Sequence, residues 1–273
     1  MTERKPASSR LKHAEVLCGG ALVLALVVAA LRLLPRERDA FNLASEVSHA
    51  IAAAHLLHRL ARSRKCSGVS LKAQELVSLY LLCRSVCSLR LEMNEHTLLD
   101  ALALAFSIST VFLLRFQKRT PGLKDEAHFD RMNQALIIGP CAFVAGLVHP
   151  PAPYSRLIRI LWAFSLNLEA LSILPQLYML RTRGDKPVEP FLASYLMLLG
   201  ISRFFTLFHW IFQFIDNSLA FTQLVHGNSW IYSVLTTEIV STLMLSYFTY
   251  LYFRKLYFGQ QPTFKLSEFE NLL

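Results

Sequence analysis

RILWAFSLNLEALSILPQLYML, residues Arg159–Leu180, is the stretch whose reading decides the fold. It is apolar and long enough to cross a bilayer, which takes about 20 residues. It also carries Arg159, Glu169 and Gln176, with Pro175 near its end. A glutamate placed mid-membrane costs a few kcal/mol, so Glu169 faces a protein interior or a wet cavity. Trp162, Glu169 and Gln176 recur every seven residues, and on a helix they stay within about 40° of one another. The stretch is therefore a lipid-soluble rod with a polar seam. Such a seam lines something.

Comparable apolar blocks lie on both sides: Ala14–Leu34, Phe41–Leu60, Leu71–Leu91, Thr97–Phe116, Ala135–Val148, Arg156–Leu180, Pro190–Ile215 and Trp230–Tyr257. Their spacing predicts eight helices and an all-α polytopic membrane protein. Composition agrees. Of the 273 residues 53% are hydrophobic and 17% charged, with mean hydropathy +0.38, whereas a soluble domain is less apolar and nearer a quarter charged. The Ala135 block is short and holds Gly139 and Pro140, which predicts a kink or tilt. The Ala14 block is nearly span length and ends in Leu-Arg-Leu-Leu-Pro, so it reads as an uncleaved helix rather than a signal peptide. Residues 1–13 then form a cytosolic tail, 14–34 an extra transmembrane helix, 41–257 a seven-helix core and 258–273 a second cytosolic tail.

The formal charge of +9 sorts onto one side. One set of loops holds Arg59, Arg62, Arg64 and Lys65, then Arg115, Lys118, Arg119 and Lys124, then Arg181, Arg183 and Lys186, and finally Arg254 and Lys255. The alternate set holds Arg36 and Arg38 (offset by Glu37 and Asp39), Arg90 and Arg156, and no lysine or arginine between Asp216 and Ser229. Positive-inside bias places the first set and both termini in the cytosol. The basic excess is loop bias, not a nucleic-acid surface. The lumenal loops are short, so whatever the protein does, it does between its helices. The five cysteines form no CxxC pair and mostly lie in apolar blocks, which predicts neither a disulfide nor a metal site. No nucleophile–base spacing or phosphate loop points to an enzyme, and no cofactor is implied.

The candidates are polar residues inside the spans: Glu46 and His49, Arg84, Arg159 and Glu169, Arg203, His209 and Gln213, and Glu238. A buried pair such as Arg84 or Arg203 with Glu169 can fix helix packing without any ligand. For a single residue that reading and a functional one balance. So many charges exceed what packing needs, and the set points to a site. Arg159 stands about 15 Å along the axis from Glu169 and cannot pair with it; near the lumenal end it can snorkel to the interface. Glu46 and His49 share a helix face, and histidine alone has an unperturbed pKa near the pH of the secretory pathway.

Three stretches then carry a resemblance: HAIAAAHLLHRLARSRKCSGVSLKAQ (His49 to Gln74), WAFSLNLEALSILPQLYML (Trp162 to Leu180) and SYLMLLGISRFFTLFHW (Ser194 to Trp210). They resemble the KDEL receptors, the ER lumen protein-retaining receptors, over nearly all of Phe41 to Tyr252. The extra N-terminal span and Val188-Glu189-Pro190-Phe191 resemble the plant-type, longer branch. The resemblance implies a seven-helix core of two three-helix bundles around a linking helix, similar to SWEET and PQ-loop transporters. It implies a multi-pass receptor of ER and Golgi membranes that retrieves ER lumen proteins. Such receptors bind C-terminal His/Lys-Asp-Glu-Leu-type peptides in a lumen-facing cavity, tightly in acid and weakly near neutrality, and are moved by vesicle coat machinery.

Residue by residue, His49 matches the pH-sensing histidine, Arg84 an arginine that grips peptide carboxylates and Glu169 the buried glutamate. Trp210 and Arg203 match the penultimate-helix motif. Pro175-Gln176 and Gln74 match paired structural signatures. The departures are numerous. Asn42 stands in place of a second arginine, Cys87 of an aspartate and Arg159 of a glutamate. Ser202 and Thr206 replace tyrosines, His209 an asparagine, Gln213 an arginine and Tyr247 an aspartate. The lysine-rich tail is replaced by Glu268-Phe-Glu-Asn-Leu272-Leu273. Losing a desolvated charge pair costs roughly 2–5 kcal/mol of binding, so the resemblance implies the family's fold and location with an altered ligand. Arg159, His209 and Gln213 join Arg84, Glu169 and Trp210 as expected ligand contacts. The alternative is a SWEET-like transporter of a small polar or anionic solute.

Overall fold

The computed structural model describes residues 38–63, 68–91, 95–117, 128–183, 189–216 and 229–258. The expected tail 1–13, the extra helix Ala14–Leu34 and the chain beyond residue 258, with Leu272-Leu273, lie outside the described residues. The described residues from Asp39 onward belong to one compact unit.

Among the described residues the elements are all helices: α1 Arg38–Ser63, α2 Leu71–Leu91, α3 Glu95–Gln117, α4 Ala135–Leu147, α5 Arg156–Leu171, α6 Leu174–Thr182, α7 Pro190–Asp216 and α8 Trp230–Tyr257. Every apolar block from Phe41 onward is helical. The deciding stretch differs in one respect: it is interrupted between α5 and α6. Pro175 has no N–H for the Leu171 carbonyl, and it sits in the first turn of α6, where that donor is dispensable. Ser172 and Ile173 keep right-handed φ values of −60° and −78°. The two helices therefore run on as one 27-residue span, Arg156–Thr182.

That span, Glu95–Gln117, Pro190–Ile215 and Trp230–Arg254 are each long and apolar enough to cross a membrane. The short helix α4 has 13 residues and continues through Pro140. Helix α3 shows what solvent the fold expects. Its buried stripe is Thr97, Asp100, Ala103, Ser107, Thr110, Leu114 and Gln117. Its outer face shows Leu98, Phe112 and Phe116, each about two-thirds exposed. Small and polar inside with large and apolar outside is the pattern of a helix in lipid, where small residues let backbones approach.

Helix α2 packs on α3 and α5, α4 on α5, and α8 on α7 and α5. Helix α5 thus contacts α2, α4 and α8. At one end of the bundle an apolar core ties Leu56 and Leu60 of α1 to Leu192 and Leu196 of α7 and to Leu245 and Phe248 of α8. Two polar clamps hold the start of α2 there. Asp130 accepts from Ser70 Oγ at 2.7 Å and from Leu71 N–H at 2.8 Å, satisfying orphan donors of a helix start. Gln176 accepts from Ser70 N–H at 2.9 Å and donates to the Gly68 carbonyl at 2.7 Å. Gly68 has φ +83°, a conformation glycine adopts without steric cost.

Candidate functional site

At the other end of the bundle, α1, α2, α3, α5 and α7 enclose a cavity of about 550 Å³. Helix α1 contributes Asn42, Ser45, Glu46 and His49; α7 contributes Ser202, Thr206, His209, Trp210 and Gln213. Both sets follow the three- and four-residue steps of a single helix face. Hydroxyls tie the two helices together: Ser45 Oγ lies 2.6 Å from Thr206 Oγ1 and 3.1 Å from Ser202 Oγ. Trp162 of α5 faces Trp230 of α8 at 6.3 Å between ring centroids.

From the cavity wall inward runs a chain of alternating charge drawn from five helices. Asp100 of α3 takes two hydrogen bonds from Arg84 of α2, from Nε at 2.8 Å and Nη2 at 2.5 Å. Arg84 Nη1 donates to Glu169 of α5 at 2.9 Å. Glu169 receives Arg203 of α7 at 2.7 Å, and Arg203 lies 3.9 Å from Glu238 of α8. The guanidinium of Arg84 also sits 5.7 Å from the centroid of the Tyr80 ring. Each charge has an opposite neighbour, which is how charges survive in a desolvated interior. His49 completes the floor with Nε2 at 3.1 Å from Tyr80 Oη. Near the mouth Glu46 Oε2 lies 2.7 Å from His96 Nδ1, while its Oε1 accepts from Asn42 Nδ2 at 3.0 Å.

Comparison with known proteins fits this geometry. A family model described as ER lumen protein retaining receptor matches residues 65–213. The chain is 31% identical over 214 residues to the ER lumen protein-retaining receptor erd-2.2 of Caenorhabditis elegans, spanning 78% of this chain and 92% of that one. The chain belongs to the ER lumen protein-retaining receptor family. It is 30% identical to ER lumen protein-retaining receptor B of Arabidopsis thaliana over 78% of this chain and 93% of that protein. Receptor 2 of Danio rerio is 29% identical over 81% of this chain and 96% of its own length.

Within this retaining-receptor fold, Arg84, Glu169, Trp210, His209, Gln213 and His49 all line the one cavity. Arg159 is not among its lining residues; it stands half-buried one turn before Trp162, next to Ile158, whose carbonyl is 3.7 Å from Cys87 Sγ. Arg203 lies below the cavity, 4% exposed. Gln74 donates to Tyr195 Oη at 2.9 Å, and Gln176 holds the turn before α2, so these two and Pro175 act on the fold. Sequence reasoning missed Asp100 and His96. The signal for Asp100 was present: it is a carboxylate inside the Thr97–Phe116 span, whose other charge, Arg115, lies in the last turn, and it demands a partner. His96 sits at the edge of that span, and its proximity to Glu46 exists only in the folded bundle.

Proposed function

We propose that this chain is a multi-pass receptor of ER and Golgi membranes that retrieves ER lumen proteins by holding their C-terminal peptides in the α1–α7 cavity. Membership of the retaining-receptor family supports retrieval. The observation that carries the site is the meeting of His49, Arg84, Glu169 and Trp210 in one cavity, at the end of the bundle away from Arg59, Arg62, Arg115 and Arg181. With those arginines and both termini in the cytosol, the cavity opens to the lumen, where cargo C termini are. The retrieved complex then needs vesicle coat machinery on the cytosolic face. We read the chain as a binding protein without a reaction of its own. The transporter alternative is not favoured by relatives named as retention receptors.

The cavity also supports an altered specificity. Three of the five Arg84 N–H groups are already taken by Asp100 and Glu169, which leaves less of the guanidinium for ligand carboxylates than a free arginine offers. His49 is the candidate pH sensor on the cavity floor, since a proton there adds positive charge that favours a peptide's terminal carboxylate. The test is binding of a C-terminal peptide library to the purified protein at pH about 5.5 and 7.2. Peptides that bind only with a free carboxylate, and that Arg84→Ala releases, fit the receptor. Solute uptake into liposomes with no peptide bound at either pH overturns it.

A further inference from the structure

The charged groups on the cavity wall do not balance. Glu46, Asp100 and Glu169 face Arg84 alone among the described residues of the lining. Arg203 and Glu238, a layer deeper, offset each other. Arg159 stands outside the lining. With its imidazoles neutral the wall therefore carries two negative charges in excess.

Glu46 is the carboxylate that no guanidinium pairs with among the described residues. Its hydrogen bonds come from the Asn42 carboxamide and the His96 ring, and a neutral donor leaves its charge intact. One turn deeper on α1, His49 is 5% exposed and lines the same cavity, with Nδ1 lacking a hydrogen-bond partner among the described residues. In the tautomer whose Nε2–H donates to Tyr80, that Nδ1 is an acceptor. Trp162, Trp210 and Tyr154 line the cavity as well, and their ring faces attract cations.

Resting on the peptide-receptor reading, we infer that the cavity selects a ligand with a basic side chain, an ammonium or guanidinium that docks between Glu46 and Asp100 on the α1–α3 side. An acidic side chain there meets two carboxylates and an arginine already engaged by Asp100 and Glu169. Charge selection of this kind turns on repulsion as much as attraction.

The probes are two tetrapeptides with free C termini ending in leucine, one with two lysines and the other with aspartate and glutamate at its middle positions. The third probe is an alkyl diamine. A protonated imidazole on the same wall would add positive charge, so affinities are measured by calorimetry at pH about 7.2, above the ordinary histidine range. The expected result is a lysine peptide bound at least about tenfold more tightly than the acidic one. Glu46→Gln should narrow that ratio. The glutamine keeps the side-chain volume, and unchanged thermal unfolding verifies the fold. Equal binding, or tighter binding of the acidic peptide, overturns the charge preference and leaves the receptor reading standing. Diamine binding that Glu46→Gln weakens, with neither peptide bound, supports the cation site and sinks the peptide receptor. No binding of any probe overturns both.

Discussion

Glu169 is the residue on which the interior charge depends. One carboxylate bridges two guanidiniums, Arg84 at 2.9 Å and Arg203 at 2.7 Å. Removing one partner of a buried pair is costly because it strands the other charge. Glu169→Gln should therefore lower stability by about 3–5 kcal/mol, read as a large drop in thermal unfolding temperature in detergent. A drop no larger than that of Glu46→Gln would show that the chain of charges is not what holds the helices. Gln176 acts differently, through two buried backbone groups, Ser70 N–H and the Gly68 carbonyl. Gln176→Ala leaves both unmatched, at about 1–3 kcal/mol for each. Because the lesion lies at the far end of the bundle from the cavity, the folded fraction should keep its peptide affinity. Measuring unfolding and binding on the same sample separates the two effects.

Helix α3 carries the clearest element-scale instruction, and it is inverted relative to a soluble protein. Ser107 is buried and meets Ser78 of α2 at 2.8 Å, while Phe112 is 69% exposed to what must be lipid. Ser107→Leu adds bulk where two backbones approach and should cost about 1–3 kcal/mol; Phe112→Leu, equally hydrophobic and outward, should be close to neutral. Thermal unfolding of the two variants side by side checks this, and equal losses would refute the lipid-facing assignment. The α7–α8 seam makes a matching point, since a Cβ at Gly200 would run into Thr249 Oγ1. These elements were legible in the sequence because apolar block length sets helix length in a bilayer. The break at Ser172–Ile173 was half legible, since Pro175 announces a lost hydrogen bond but not which residues leave the helix. The partners of Arg84 were legible only in part. Glu169 was a candidate from its cost in the membrane, whereas the pairing of Arg84 with Asp100 depends on how α2 and α3 rotate about their axes. Arg159 shows the opposite limit, because its place on the polar seam said nothing about whether the cavity reaches so far up α5.

For the whole molecule, two independent features should point the same way across the membrane. Arg59 and Arg62 of α1, Arg115 of α3, Arg181 of α6 and Arg254 of α8 lie at the end where Asp130 and Gln176 clamp the start of α2. The cavity lies at the end bounded by Asn42, His96, Tyr154 and Gln213. Loop charge orients the chain through the insertion machinery; cavity position matters for cargo that exists only in the lumen. A retrieval receptor needs both to agree. Two exposed positions report on them without touching the cavity walls: Glu189, just before α7 at the clamped end, and Pro153, between α4 and α5 at the cavity end. Glu189→Cys should react with a membrane-impermeant thiol reagent in sealed microsomes, and Pro153→Cys only after the membrane is opened. The native Cys83, Cys87 and Cys141 are buried, so any background labelling before permeabilisation would have to come from Cys18 or Cys66 and is measured on the unmodified chain. The reverse pattern would turn the cavity to the cytosol, where no lumenal C terminus can reach it, and the retrieval reading would fall with the orientation.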